Sequence, residues 1–183
     1  MPINIERVGA TNASMTSLVR PARPEDRERL GELAGQLVRL HSDWNSRRFL
    51  QIPNVEEGYG RWLVKQAEDA NGNVLVAERA SRVVGYLYAR FEANDWNALL
   101  GPHAALHDLF VDPAERGGGL ATRLLEDFRA ECKERKVPRI VLHTAVQNEG
   151  AQRLFRKFGF ESTMIEMTYE IETSARELGS VNP

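Results

Sequence analysis

The chain has 183 residues, 42% apolar and 27% charged, with a formal net charge of −2 and a pI near 6.1. That length suits one domain with a sizeable core, and so small a charge offers no field suited to nucleic acid or an anionic membrane. No apolar run approaches the roughly 20 residues of a membrane span, and the polar opening "MPINIERVGATNASMTS" lacks the apolar stretch of a secretory signal.

Residues 1–15 carry no periodicity and are expected to form a flexible N-terminus, with a single domain over 16–173 and a tail over 174–183. "SLVRPA" (17–22) reads as a strand closed by Pro21 and Pro24. Leu30, Leu33, Leu37 and Leu40 recur at spacings of three and four, which predicts a helix over 25–40. After a loop, Asn54 is placed to cap a second helix running to Ala67. "NVLVAERASRVVGYLYARFE" reads as two strands joined at Arg79–Arg82, and "AALHDLFV" (104–111) is the most apolar strand candidate, ended by Asp112–Pro113. A helix is expected over 119–136, with Leu120, Leu124, Leu125 and Phe128 as its apolar stripe. "RIVLHTAV" (139–146) is another strand. Asn148 suits the N-cap of a short helix carrying Ala151, Leu154, Phe155 and Phe158, stopped by Gly159. "STMIEMTYEIE" (162–172) alternates and closes the sheet. The order implies a mixed α/β sandwich with strand 104–111 near its centre. Cys132 is the only cysteine, so no internal disulfide is possible, and its place in a helical stripe without His or Cys neighbours reads as core in a reducing, cytoplasmic setting.

Within "ERGGGLATRLLEDF" three glycines stand directly before a helix. The first turn of a helix leaves N–H groups unpaired and a partial positive charge, and glycines let an anion approach them. Arg116 adds a fixed cation with donors suited to phosphate. The run lacks the Gly-Lys-Ser/Thr of a P-loop, and Thr122 stands where a dinucleotide fingerprint needs a small residue. On glycines alone, a phosphate cradle and a plain turn are both open.

"LFVDPAERGGGLA", then Asn148, then "RLFRKFGF", together resemble the GCN5-related N-acetyltransferase (GNAT) superfamily. Its pyrophosphate motif, Gln/Arg-x-x-Gly-x-Gly/Ala after a strand ending in hydrophobic-x-Pro, is met by Arg116, Gly119 and Ala121, with Val111 and Pro113 before them. Its second signature, an Asn and then Ala and Leu-Tyr-x-Lys-x-Gly-Phe, is met by Asn148, Ala151, Leu154, Lys157, Gly159 and Phe160, with Phe155 in place of the tyrosine. The resemblance covers about 17–171.

The resemblance implies a mixed sheet of six to seven strands with about four helices and central strands that splay apart, here 104–111 and 139–146. It implies acetyl-CoA as co-substrate, a small-molecule or peptide amine as acceptor, and homodimerisation as a common family trait. The cofactor's pantetheine arm would pair with Leu109, Phe110 and Val111, and its pyrophosphate would lie on the amides of Arg116, Gly117, Gly118, Gly119, Leu120, Ala121 and Thr122. Asn148 and Phe155 would complete the cofactor site. A backbone N–H near Leu109 would steady the oxygen as charge develops.

His107 is the candidate base, since an imidazole titrating near 6.5 suits proton removal at neutral pH. A strand histidine satisfied by hydrogen bonds fits the sequence equally well. Strand alternation puts Asp108 on the opposite face. Phe155 cannot supply the proton that a tyrosine there would give the departing thiolate; water, Tyr88 or Tyr169 are the available substitutes. The segment 41–63, with Trp44, Phe49, Glu56, Glu57, Tyr59 and Trp62, lies where the family builds its acceptor wall, although Glu56 and Glu57 also suit the acidic first turn of a helix. Trp96 is a second pocket candidate. The four histidines lack metal-ligand spacing, so no metal is expected. Two other readings stand beside the enzyme: a catalytically silent acyl-CoA-binding or sensor module, and an interaction domain in which 116–122 is only a turn.

Overall fold

The computed structural model describes residues 17–50 and 52–171. The chain divides into two compact units, the first ending at Glu149 and the second starting at Gly150. The expected flexible N-terminus and C-terminal tail lie outside the described residues.

In the first unit, β1 (Leu18–Pro21) is followed by a 3-10 turn at Pro24–Asp26, α1 (Arg27–Trp44), α2 (Val55–Glu68), β2 (Gly72–Arg79), β3 (Arg82–Glu92), β4 (His103–Val111), a second 3-10 turn at Pro113–Glu115, α3 (Leu120–Glu134) and β5 (Ile140–Leu142). The strands form one mixed sheet in the order β1-β2-β3-β4-β5, antiparallel except for the parallel β4–β5 pair. Pro21 is tolerated because β1 is an edge strand, where a missing N–H breaks no ladder.

Strand alternation divides the core. Leu30, Leu33 and Leu37 of α1 and Leu63 of α2 pack with Val74, Val76, Tyr86, Tyr88 and Phe110 on one face. On the other face α3 contacts β1 to β4 through its buried stripe of Leu120, Leu124, Leu125 and Phe128. Each such side chain taken from water contributes about 1.5–3 kcal/mol. The helices α1 and α2 cross closely because both carry glycine at the crossing: a Cβ on Gly60 would lie 2.2 Å from the Arg27 carbonyl oxygen, and one on Gly31 equally close to that of Glu56.

Three expectations are corrected. Asn54 precedes α2 but makes no side-chain cap; it adopts a left-handed φ of 51°. The strand expected over 139–146 pairs only at Ile140–Leu142. Residues 162–171 of the expected closing strand form no strand, so the described sheet has five strands instead of six or seven. Alternation supplies a face for burial, whereas a strand also needs a partner edge.

The second unit opens with the body of α4 (Glu149–Phe158), which begins directly after Asn148 and ends at Gly159, with φ at 105°. Within this unit the Phe155 and Phe160 rings meet edge-on at 5.6 Å.

Candidate active site

Pairing between β4 and β5 stops at Leu106–Leu142, while β4 runs on to Val111 beside β3 alone. Asp112 N–H donates to the Val84 carbonyl at 2.8 Å, which fixes the alternation of the ladder. Phe110 therefore turns its backbone groups toward β3, and Leu109 and Val111 turn theirs toward the parted edge. Arg116 Nε donates to the Val111 carbonyl across that edge at 3.0 Å, and its guanidinium lies 5.4 Å from the Phe110 ring. The Arg116 guanidinium has no other partner among the described residues.

The glycine run has a separate reason at each position. Gly117 and Gly119 hold φ of 85° and 77°, a left-handed backbone that disfavours any Cβ. Gly118 has ordinary φ, but a Cβ there would lie 2.8 Å from Nη2 of Arg79. Gly119 is the N-cap of α3, and the amides from Gly117 to Thr122 meet no acceptor among the described residues. Six successive donors at a helix N-terminus, on an exposed loop with an unengaged arginine fork beside it, fit a diphosphate.

The loop is anchored on both flanks. Asp112 accepts from Ala114 N–H at 3.1 Å and from Arg29 Nη2 at 2.6 Å; the backbone donor first, and then the guanidinium, hold its carboxyl below the usual range. Glu115 accepts from Arg79 Nη1 at 2.6 Å.

The ladder between β3 and β4 slips where Tyr88 faces Asp108 and Ala89 faces Leu106, so His107 is the inserted residue of a β-bulge. The bulge corrects the expectation that His107 and Asp108 point to opposite faces. His107 stacks on Tyr88, with centroids 5.2 Å apart, and Asp108 accepts hydrogen bonds from the hydroxyls of Tyr59 at 2.8 Å and Tyr86 at 3.1 Å. Tyr86 and Tyr88 share one face of β3, so both β4 side chains reach the side covered by α1 and α2.

His107 is exposed at its edge, yet packing against its neighbours removes enough water to lower its pKa below the usual imidazole value. Nearby Glu92 opposes that shift and Arg90 reinforces it. Asp108 is buried, and desolvation raises its carboxyl above the usual range despite the two hydroxyl donors. Desolvation also raises the Tyr59 and Tyr86 phenols, with Asp108 adding to both. The Tyr88 hydroxyl donates to Gln66 Oε1 at 3.3 Å, and Arg90 shares that acceptor.

Trp62 meets Tyr59 edge-on at 5.3 Å and Tyr88 at 4.8 Å, so Tyr59, Trp62, Tyr88 and His107 form a continuous aromatic row. Trp44 and Phe49 instead surround His41, whose Nδ1 engages the Leu37 carbonyl. Glu56 and Glu57 occupy the first turn of α2, with Glu56 bonded to Arg39 and Glu57 near Arg27 and Arg61. Trp96 is exposed. Among the described residues no three His, Cys, Asp or Glu side chains gather to hold a metal, and no helix is long and apolar enough to cross a membrane. Cys132 is buried in α3, and burial pushes its thiol up to about 11.

Sequence reasoning missed Arg79, Arg29, Tyr86 and Gln66. The spacing of three and four between Tyr59, Trp62 and Gln66 is the sequence signal that could have placed Gln66 on the same helix face.

The profile of the Acetyltransferase (GNAT) family matches residues 36–160. An uncharacterized N-acetyltransferase of Methanocaldococcus jannaschii is 32% identical over 107 residues, covering 56% of this chain and 44% of that protein. The mycothiol acetyltransferase of Thermobispora bispora is 31% identical over 95 residues, covering 52% of this chain and 32% of its own length. The chain thus spans less than half the length of either relative. The fold is shared with the aminoglycoside N-acetyltransferase AAC(6')-Iy in complex with CoA, at a TM-score of 0.67 and 18% identity over 86% of this chain and 96% of that one.

Proposed function

Since the chain belongs to the acetyltransferase (GNAT) family, we propose that it transfers acetyl from acetyl-CoA to a primary amine of a small molecule or peptide, by direct attack with both substrates bound. One observation carries this reading: six amides unpaired among the described residues, Gly117 to Thr122, continue from a strand whose far edge is parted from its neighbour, and His107 stands on that same strand.

When bound, acetyl-CoA supplies an activated acetyl thioester. Arg116 and the amides of Gly117 to Thr122 hold the diphosphate, and Leu109 and Val111 offer main-chain groups to the pantetheine arm as an added strand would. Phe110 serves that edge by packing under it and against Arg116. The Leu109 N–H serves as the donor to a developing oxyanion. The family signature is what assigns cofactor binding to Asn148 and, separately, to Phe155.

The amine arrives as an ammonium with a pKa of about 10.4. His107 accepts its proton, directly or through water, because its lowered pKa keeps the ring neutral at pH 7. Phe155 has no hydroxyl and Tyr88 is engaged with Gln66, so neither protonates the departing sulfur in this arrangement. A thiol of pKa about 8.5 leaves as the anion without such help, and the second proton that the nitrogen sheds as the amide forms passes to water or to that thiolate. The buried, unpaired Cys132 suits a reducing cytoplasm.

Release of free thiol from acetyl-CoA over a panel of amines tests the activity. Saturable turnover with at least one amine is expected. The phenylalanine at 155 favours a second reading, a silent acyl-CoA-binding module, and tight CoA binding without turnover on any amine would move the assignment to it.

A further inference from the structure

The second glycine of the loop is explained by a residue far from it in the chain. Arg79 ends β2, where the hairpin turns through Ala80 and Ser81, both with positive φ. Its side chain reaches the loop between β4 and α3. Nη1 donates to Glu115 Oε2 at 2.6 Å, and Nη2 lies 2.8 Å from where a Cβ of Gly118 would stand. Nε is buried without a hydrogen-bond partner among the described residues. A buried donor left unpaired costs free energy, so the guanidinium is held here by its two loop contacts against a local penalty. The ion pair is partly buried on both sides, with side chains 23% and 26% exposed.

We propose that Arg79 is a positioning residue for cofactor binding: clamped to Glu115 and seated against the bare Cα of Gly118, it fixes the direction in which the loop amides point. This rests on the reading of Gly117–Thr122 as the diphosphate cradle. Gly117 and Gly119 give the loop its left-handed path, and such a path is loose unless something holds it. Arg79 is the side chain that touches the loop on both sides of Arg116, at Glu115 and at Gly118. An ordered set of donors loses less entropy when an anion arrives, which is the general advantage of preorganisation.

The geometry makes a coupled prediction. A methyl at position 118 would stand 2.8 Å from Arg79 Nη2, so the guanidinium has to shift while its bond to Glu115 resists that shift, and Gly118→Ala harms the loop only while Arg79 is present. Calorimetric titration of the full chain with CoA is run on wild type, Arg79→Ala, Gly118→Ala and the double variant, with unliganded melting curves as the control for folding. Arg79→Ala and Gly118→Ala are each expected to weaken CoA binding by about three- to tenfold, a loss of order 1 kcal/mol. The double variant should bind no more weakly than Arg79→Ala alone, a non-additivity that marks direct contact. Arg79→Lys, which keeps the pair with Glu115 but carries no second nitrogen to Gly118, should restore most of the affinity and tolerate Gly118→Ala. Unliganded melting points should stay close to wild type throughout.

Wild type that fails to bind CoA overturns the cradle, and the role of Arg79 with it. Wild type that binds, with Arg79→Ala binding equally well or with the two single losses multiplying in the double variant, overturns the role of Arg79 and leaves the cradle standing.

Discussion

The His107 imidazole lies nearly parallel to the Tyr88 ring, at 22° between planes and 5.2 Å between centroids, because a bulge inserts His107 into β4 opposite Tyr88 and Ala89. Tyr88 is itself held from behind, its ring against Trp62 and its hydroxyl on Gln66. One imidazole face is thereby closed to water and the ring edge stays open. That arrangement suits a base that must stay neutral and still meet an ammonium.

His107→Ala should lower kcat for acetyl transfer by about 10²-fold or more, the scale of a lost general base, with CoA affinity nearly unchanged. Burial lowers the His107 pKa, so the acid limb of kcat/KM should rise with pH to a midpoint below the ordinary imidazole value and be flat through neutrality. The limb should vanish in the variant. Stopped-flow thiol release between pH 5 and 8 reads both effects; an unchanged rate in the variant removes His107 from the mechanism.

Asp108 gives a stability prediction of opposite sign to most carboxylates. Its folded pKa is raised by desolvation, so the folded state holds the proton more firmly than the unfolded chain. Its contribution is therefore fully present below the unfolded pKa and is lost as pH rises through the folded one. Asp108→Asn keeps an acceptor for the Tyr59 and Tyr86 hydroxyls without a charge to bury. The melting temperature of Asp108→Asn minus that of wild type should increase from pH 4 to pH 8. A difference constant across that range would mean that Asp108 does not titrate between the two states.

How much of this was legible beforehand follows from the range of the forces involved. The three glycines, the stripe of α3 and the apolar run of β4 are local signals, and the loop and helix stand where they predict. The bulge at His107 carries no glycine or proline to announce it, yet it reverses which face Asp108 occupies. The pairs Tyr59–Asp108 and Arg79–Glu115 join residues 49 and 36 positions apart, and no periodicity encodes such contacts. Strand β5 ends early because β4 parts from it after Leu106, a property of the pair that the sequence "RIVLHTAV" does not carry.

Gly117 and Gly119 separate backbone strain from collision. A Cβ at either position meets nothing within 4 Å, so Gly→Ala there costs only the left-handed conformation, about 1–2 kcal/mol each. That cost should appear mainly as weaker CoA binding, about five- to thirtyfold, since a relaxed loop turns its amides away from the ligand. Calorimetry shows it; unaltered affinity in both variants would mean that the left-handed path is not needed for binding.

Gly60 connects packing to the acceptor side. It lies on α2 between Tyr59 and Trp62, which build the aromatic row, and its bare Cα lets α2 approach α1 until a Cβ would sit 2.2 Å from the Arg27 carbonyl and 3.1 Å from Gly31 Cα. These neighbours are backbone atoms, which cannot swing aside, so Gly60→Ala must push the helices apart. Overpacking of this kind costs about 1–3 kcal/mol, equivalent to a melting point lower by about 2–4 °C per kcal/mol for a chain of this size. Displacing α2 also moves the Tyr59 hydroxyl from Asp108 and Trp62 from Tyr88, so the KM for the amine should rise while that for acetyl-CoA, whose proposed site is the far end of β4 and the start of α3, should stay put. Gly58→Ala on the same helix meets nothing within 4 Å and serves as the control. Equal melting of the two variants would show that the helix crossing is not held by this contact.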